Sequence, residues 1–109
     1  MFKLSKIGSN QTVLEISVGP AEARQRDMYP FERISILFSY ETPVAALVPD
    51  SATNLIGRRG WLRTDRKYSK TTTKHINSWL GNKLYVKTVP QSDIDALLHH
   101  TGYNRKSSI

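Results

Sequence analysis

The sequence predicts an α+β domain, in which a small antiparallel sheet is covered on one face or end by two helices from the C-terminal half of the chain. Two observations support this class. Segments in the first half alternate apolar and polar residues with the period of two that is typical of strands, and two later segments have the 3.6-residue period of a helix. Whether the sheet stays open or curls toward a barrel remains undetermined at this point.

The first strands lie in residues 1–18. A short strand begins at Phe2, and residues 8–10, Gly-Ser-Asn, supply turn chemistry. Residues 12–18 place Leu14, Ile16 and Val18 on one face and the wetter set Val13, Glu15 and Ser17 on the other, which predicts a second strand that Gly19-Pro20 ends. Residues 21–30 are polar and charged, so a loop and one short helix both remain open for them.

Residues 31–40 give the clearest strand pattern of the chain. One face of this strand has four large apolar or aromatic residues: Ile34, Ile36, Phe38 and Tyr40. Residues 41–43, Glu-Thr-Pro, predict a turn, and the apolar residues 44–48 predict a returning strand. After a glycine-containing loop, residues 61–68 predict a strand that carries several arginines.

Residues 69–80 change to a helical period. Ile76, Trp79 and Leu80 fall on one face of this helix, while the opposite face is basic and contains Lys70, Lys74 and Asn77. Ser69 or Thr71 can accept a hydrogen bond as the N-cap, and Gly81 stands where a C-terminal residue with positive φ is favoured.

The remaining residues predict a strand, a helix and a tail. Residues 83–89 have the character of a short strand. Ser92 and Asp95 have the spacing of a capping box at the start of a second helix, which ends at Gly102. We therefore predict a single domain over residues 1–102 and a flexible basic tail over residues 103–109.

Composition limits the location of the protein. Among 109 residues, 39% are hydrophobic and 23% are charged, which is typical of a folded domain. There is no cysteine, and no segment approaches the ~20 apolar residues that a membrane span requires. The N-terminal residues lack the apolar run of a signal peptide. We expect a soluble, cytoplasmic protein without a membrane partner.

Charge is concentrated in the basic segment, residues 58–87. This segment contains nine of the sixteen Lys and Arg residues of the chain, and Asp65 is its only acidic residue, so its net charge is +8. Residues 1–53 contain five basic and six acidic residues. A clustered positive field attracts phosphate and gains free energy from counterion release, which indicates a polyanionic partner. A solvated basic face and a surface that docks on an acidic protein are the alternatives.

The predicted interface combines cations with aromatic rings. Single-stranded nucleic acid is held by bases that stack on rings beside a basic surface. Trp61 and Tyr68 are the stacking candidates, whereas Trp79 falls on the apolar face of its helix and is expected to be packed. The residues predicted to bind nucleic acid are Arg58, Arg59, Trp61, Arg63, Arg66, Lys67, Tyr68, Lys70 and Lys74.

The sequence predicts no catalytic residues, metal ligands or cofactor. His75 lies at the edge of the apolar helix face, where a packed and hydrogen-bonded histidine is the more common arrangement. A metal-independent nuclease that uses His75 with Lys74 and Tyr68 is an alternative. Acidic metal-binding clusters and cysteine-histidine motifs are missing from the sequence, which favours binding over catalysis.

Three segments of the chain resemble, in order, an uncharacterised small domain family of bacteriophages and other mobile elements. They are residues 37–46 (LFSYETPVAA), 68–80 (YSKTTTKHINSWL) and 89–91 (VPQ). The resemblance lies within the central half of the chain. It implies a phage or mobile-element origin and assigns no catalytic residue.

Together these observations predict a small phage-type nucleic-acid-binding protein that uses a basic face. A modulator that docks this face on a host protein is the principal alternative. The sequence does not distinguish DNA from RNA or single from double strands, and it does not give the oligomeric state.

Overall fold

The computed structural model describes residues 1–103. Its six strands are β1 (Phe2–Gly8), β2 (Gln11–Val18), β3 (Phe31–Ser39), β4 (Thr42–Val48), β5 (Gly60–Thr64) and β6 (Lys87–Val89). Its helices are α1 (Pro20–Gln25), α2 (Lys70–Leu80) and α3 (Gln91–Thr101), together with a 3-10 turn over Asp50–Leu55. The α+β class predicted from the sequence is confirmed.

The strands form one sheet in the order of the chain, from β1 to β6. Each pair from β1 to β5 is antiparallel, whereas β5 and β6 are parallel, with Arg63 opposite Thr88. The sheet is therefore mixed, because α2 lies between β5 and β6 in the chain and provides the crossover that a parallel pair requires. Over residues 1–103 the sheet is open, so the barrel alternative is wrong.

Helices cover both faces of the sheet. On one face, Leu14, Ile36 and Leu62 pack with Ala23 of α1 and Ile94 of α3. On the other face, a smaller cluster joins strand residues to α2. Its buried members are Val13, Leu37, Val44, Ala45, Ile76 and Leu80. The expectation that helices cover only one face or end is therefore wrong, and β3 has buried residues on both sides.

Several element boundaries differ from the prediction; the turn predicted over residues 41–43 lies at Tyr40 and Glu41, because β4 already begins at Thr42. The undecided residues 21–30 contain the short helix α1. The arginine-bearing strand ends at Thr64 instead of residue 68. The predicted strand over residues 83–89 is limited to Lys87–Val89, because Tyr85 has a φ of 62° that an extended strand does not allow.

The helix caps follow the prediction for α2 but not for α3. Ser69 is the N-cap of α2, and its Oγ accepts a hydrogen bond from the Thr72 amide at 3.1 Å. The expected capping box at Ser92 is wrong, since α3 begins at Gln91 after Pro90 and has no side-chain cap. Gly102 ends α3 with a φ of 79°.

The predicted tail lies mostly outside the described residues. Tyr103 packs against the larger core cluster, with its ring centroid 5.2 Å from that of Phe2. Residues 104–109 lie outside the described part of the chain. No helix within residues 1–103 is long and apolar enough to cross a bilayer.

Candidate functional site

A groove of about 500 Å³ lies where β5, α2 and β6 meet. We call it the basic groove. Its floor and walls come from the end of β5, the connection to α2, the N-terminal half of α2 and one residue of β6. The lining residues are Arg63, Thr64, Asp65, Arg66, Lys67, Tyr68, Ser69, Lys70, Thr72, Thr73, Ile76 and Thr88.

Four cations line the basic groove beside one carboxylate. They are Arg63 of β5, Arg66 and Lys67 of the connection, and Lys70 at the start of α2. Within residues 1–103, none of the four forms a salt bridge with a carboxylate. Their positive charge is therefore uncompensated by direct ion pairs, although Asp65 also lines the groove.

Arg63 connects the strand to the helix. Its Nη1 donates a hydrogen bond to Oδ1 of Asn77, at 3.2 Å. Residues three or four apart on a helix are neighbours on its surface, so Lys74 lies next to Asn77 and Lys70 lies one turn before Lys74. Both lysines are exposed. The basic surface thus continues from the groove along the outer face of α2.

The N-terminal half of α2 is fixed against the sheet by buried hydroxyl groups. The Ser39 hydroxyl, at the end of β3, donates to Thr72 Oγ1 at 2.9 Å, and both residues are buried. The same Oγ lies 2.7 Å from Nδ1 of His75. These contacts hold the helix start, and with it the Lys70 side of the groove, in a defined position relative to β3.

His75 is a packed residue in this structure. It is 8% exposed, and besides its contact with Ser39 its ring lies 5.9 Å from that of Tyr40. The interpretation of His75 as buried and hydrogen-bonded is confirmed. Of the three residues in the nuclease alternative, only Tyr68 is among those that line the groove.

Trp61 is held in an aromatic contact outside the groove. Its ring packs edge-to-face on Trp79, with a centroid distance of 5.5 Å and an interplanar angle of 71°. The Lys83 ammonium lies over the Trp61 ring at 5.3 Å from the centroid. Both tryptophans are half-buried and pack against the smaller core cluster. Trp61 therefore contributes to the attachment of α2 to the sheet.

Tyr68 has a different environment. It lies in the connection between β5 and α2, is 38% exposed, and is the one aromatic residue among those that line the basic groove. A partly exposed ring beside four cations is an arrangement that can stack on a base or another flat group.

Arg58 and Arg59 lie before β5 and have carboxylate partners. Arg58 Nε donates to Oδ2 of Asp93, near the start of α3. Arg59 pairs with Asp50 at 3.5 Å, and both of those side chains are mostly exposed. The two arginines are not among the groove-lining residues.

The structure thus divides the predicted interface into three parts. Five residues line one groove: Arg63, Arg66, Lys67, Tyr68 and Lys70. Lys74 extends this surface along α2, and Trp61 packs behind it. Arg58 and Arg59 face carboxylates elsewhere. Sequence reasoning missed Thr64 and Thr88 as lining residues, because their positions depend on the parallel pairing of β5 with a strand of three residues.

The described residues present no metal centre. Within residues 1–103, no group of three or more His, Cys, Asp or Glu side chains is arranged to hold a metal ion. The groove offers ammonium and guanidinium groups, hydroxyls, one phenol ring and the Asp65 carboxylate. The cations, the hydroxyls and the ring among these groups bind phosphate oxygens and flat aromatic surfaces.

The three segments on which the resemblance rests contact one another in the fold. Ser39 and Tyr40 of the first segment meet Thr72 and His75 of the second. The third segment joins the first, since Gln91 Nε2 donates to the Pro43 carbonyl at 2.7 Å. The first segment therefore contacts both of the others, the second at the start of α2 and the third at the start of α3.

Fold and site define a small α+β domain with an open six-stranded sheet and a basic groove beside its parallel edge pair. The chain belongs to a family of unknown function (DUF8033), whose model matches residues 2–96. This match fits an uncharacterised small domain family and includes the strands β1 and β2. No curated protein and no solved structure gives a significant match.

Proposed function

We propose that this protein binds nucleic acid by holding the phosphate backbone in the basic groove. The observation that supports this most is the meeting of four cations from β5, the following connection and α2, without a salt bridge to any carboxylate within residues 1–103. Arg63, Arg66, Lys67 and Lys70 contact phosphates in this account, and Lys74 extends the contact along α2.

Electrostatics supplies the affinity. Each cation that replaces a condensed counterion on the nucleic acid contributes a favourable mixing entropy, and the contribution decreases as salt rises. A cation that already has a carboxylate neighbour contributes less, because binding must compete with the internal pair. For this reason the proposal assigns the phosphate contacts to the groove and excludes Arg58 and Arg59 from the central contacts.

A binding titration tests the proposal. Fluorescence anisotropy with labelled DNA and RNA oligonucleotides at two salt concentrations should show binding that weakens steeply as salt rises. Absence of binding to every oligonucleotide at the lower salt would overturn the proposal. A salt-independent affinity would do the same, because phosphate contacts cannot be insensitive to salt.

The alternative partner is an acidic protein surface docked on the same cations. Pull-down from a nuclease-treated lysate distinguishes the two partners, since a complex that depends on nucleic acid is lost with nuclease and a protein complex survives. Catalysis is not part of the proposal, because His75 is enclosed and bonded to Ser39.

We also propose that the protein originates from a bacteriophage or another mobile element and acts in the cytoplasm of its host. The resemblance of residues 37–46, 68–80 and 89–91 supports the origin, and the absence of cysteine from the sequence fits a reducing compartment. Detection of the gene beside phage structural or recombination genes would test the origin.

A further inference from the structure

We infer that the ligand of the basic groove is single-stranded nucleic acid, and that Tyr68 stacks on one of its bases. This inference rests on the proposed function, since it specifies which form of nucleic acid the same groove accepts. It is carried by the shape of the groove and by the environments of the two candidate stacking residues.

The shape of the groove favours one strand over a duplex. Protein elements that read duplex DNA in its major groove are convex, because a helix or ribbon must enter a groove about 12 Å wide. Here the cations instead surround a concave space of about 500 Å³. Concave sites of about 300–1,000 Å³ enclose ligands of drug size. One or two nucleotides of a flexible strand fit such a space, and a base-paired helix does not.

The surroundings of the two candidate rings favour Tyr68 as the stacking residue. Its ring lines the groove between cations that are close to it in sequence, Lys67 and Lys70. Trp61, the other candidate, already packs on Trp79 and beneath the Lys83 ammonium. Stacking on Trp61 would require these contacts to be replaced, whereas the exposed part of the Tyr68 ring needs no rearrangement.

The remaining lining groups predict weak discrimination among bases. Thr88 contributes a hydroxyl that can both donate and accept a hydrogen bond, whereas the Thr64 hydroxyl accepts from the Arg66 amide and the Thr73 hydroxyl donates to the Ser69 carbonyl. A hydroxyl can match either kind of group on a base edge. Together with stacking, which every base allows, this lining is typical of a site that tolerates many sequences.

A comparison of strand forms provides the first test. The probes are a labelled 12-nucleotide poly-dT strand, a poly-rU strand of the same length and a 12-base-pair duplex, all at one low salt concentration. We expect both single strands to bind at least about tenfold more tightly than the duplex. Equal or tighter binding of the duplex would overturn this inference and leave the proposed function intact. Absence of binding to all three probes would overturn the proposed function itself.

Substitution of Tyr68 provides the second test. Tyr68→Ala should weaken binding to the single strands by about 5- to 150-fold, which is the range for loss of one stacked base. Tyr68→Phe retains the ring and should bind like the original protein. Tyr68→Leu keeps apolar bulk without a π-face and should resemble Tyr68→Ala, which separates stacking from local packing.

Matched control variants test whether the loss of affinity is specific to the Tyr68 ring. Tyr29→Ala removes a ring that is 77% exposed and not among those lining the groove, so it should leave binding unchanged. Trp61→Leu keeps apolar bulk against Trp79 but removes the π-face, and it should also leave binding unchanged. If Tyr68→Ala binds normally while Trp61→Leu loses affinity, stacking occurs at Trp61 and the inference is wrong.

Discussion

The guanidinium of Arg63 donates a hydrogen bond to the side-chain carbonyl of Asn77 at 3.2 Å. This contact joins β5 to the basic face of α2, two elements that are separated along the chain by the connection carrying Arg66 and Lys67. The cations of the groove and the lysines of α2 thereby lie on one surface. The effects of this surface on nucleic-acid binding and on stability can be measured separately.

Removal of two groove cations should weaken nucleic-acid binding. Arg63→Gln combined with Lys70→Gln is expected to reduce affinity for a single strand by about tenfold or more. The logarithmic dependence of affinity on salt should decrease by about 0.7 for each lost phosphate contact. Anisotropy titrations at four salt concentrations give both quantities.

The control for this variant lowers the net charge equally at a distance from the groove. Lys3 lies on β1, at the opposite edge of the sheet from β6, and Arg24 lies on α1, on the face opposite α2; both are exposed. Lys3→Gln combined with Arg24→Gln should bind nearly as well as the original protein. An equal loss of affinity in both double variants would show that binding depends only on the total charge of the protein and not on the groove.

Arg58 and Arg59 should behave differently from the groove cations. Arg58→Gln is expected to lower the free energy of unfolding by about 1 kcal/mol, because its partly buried bond to Asp93 connects the start of β5 with α3. Arg59→Gln should have no measurable effect on stability, since its pair with Asp50 is exposed. Urea unfolding measures both changes.

Neither substitution should change the affinity for single strands by more than about twofold. If Arg59→Gln reduces affinity as strongly as Lys70→Gln, the interface extends over the loop before β5, and the restriction to the groove is wrong.

The buried contact between Ser39 and His75 should contribute to stability and not directly to binding. Ser39→Ala leaves Nδ1 of His75 without this partner and is expected to cost about 1–3 kcal/mol of unfolding free energy. His75→Leu removes the other partner, and a double-mutant cycle should give a coupling of at least about 0.5 kcal/mol. Additive effects in thermal and urea unfolding would show that the two side chains do not interact.

The tryptophan pair should stabilise the attachment of α2. Trp61→Ala is expected to lower the free energy of unfolding by about 2 kcal/mol, since the half-buried ring loses its contacts with Trp79 and Lys83. The coupling between Trp61→Ala and Trp79→Ala should be about 1 kcal/mol. If the loss of unfolding free energy in the double variant equals the sum of the losses in the two single variants, the two rings do not interact.

Local patterns predicted much of this fold. The alternation of Ile34, Ile36 and Phe38 predicted β3, and Ser69 predicted the start of α2, because strand period and helix capping are short-range properties. Pairing between elements distant in the chain was not predictable in this way. The parallel register of Arg63 with Thr88 depends on α2 crossing the sheet, and residues 87–89 are too few to show a period.

The sequence predicted the sign of the charge at the site but not which basic residues belong to it. Charge counting identified the basic segment, because residue charge is a property of the sequence itself. It could not show that Arg58 pairs with Asp93, 35 residues away, while the side chain of Arg63 bonds to the neutral Asn77 and to no carboxylate within residues 1–103. It also could not distinguish the packed ring of Trp61 from the groove-facing ring of Tyr68, since both lie within the basic segment.

The most direct test of the account is the map of backbone amide chemical shifts as a six-nucleotide poly-dT strand is titrated into the isotopically labelled protein. We predict that the perturbed amides cluster in residues 63–74 and at Thr88, with little change at Lys3, Arg24, Arg58 and Arg59. Perturbations confined to β1 or the loop before β5, or scattered over both faces of the sheet, would contradict a phosphate-binding groove at this site.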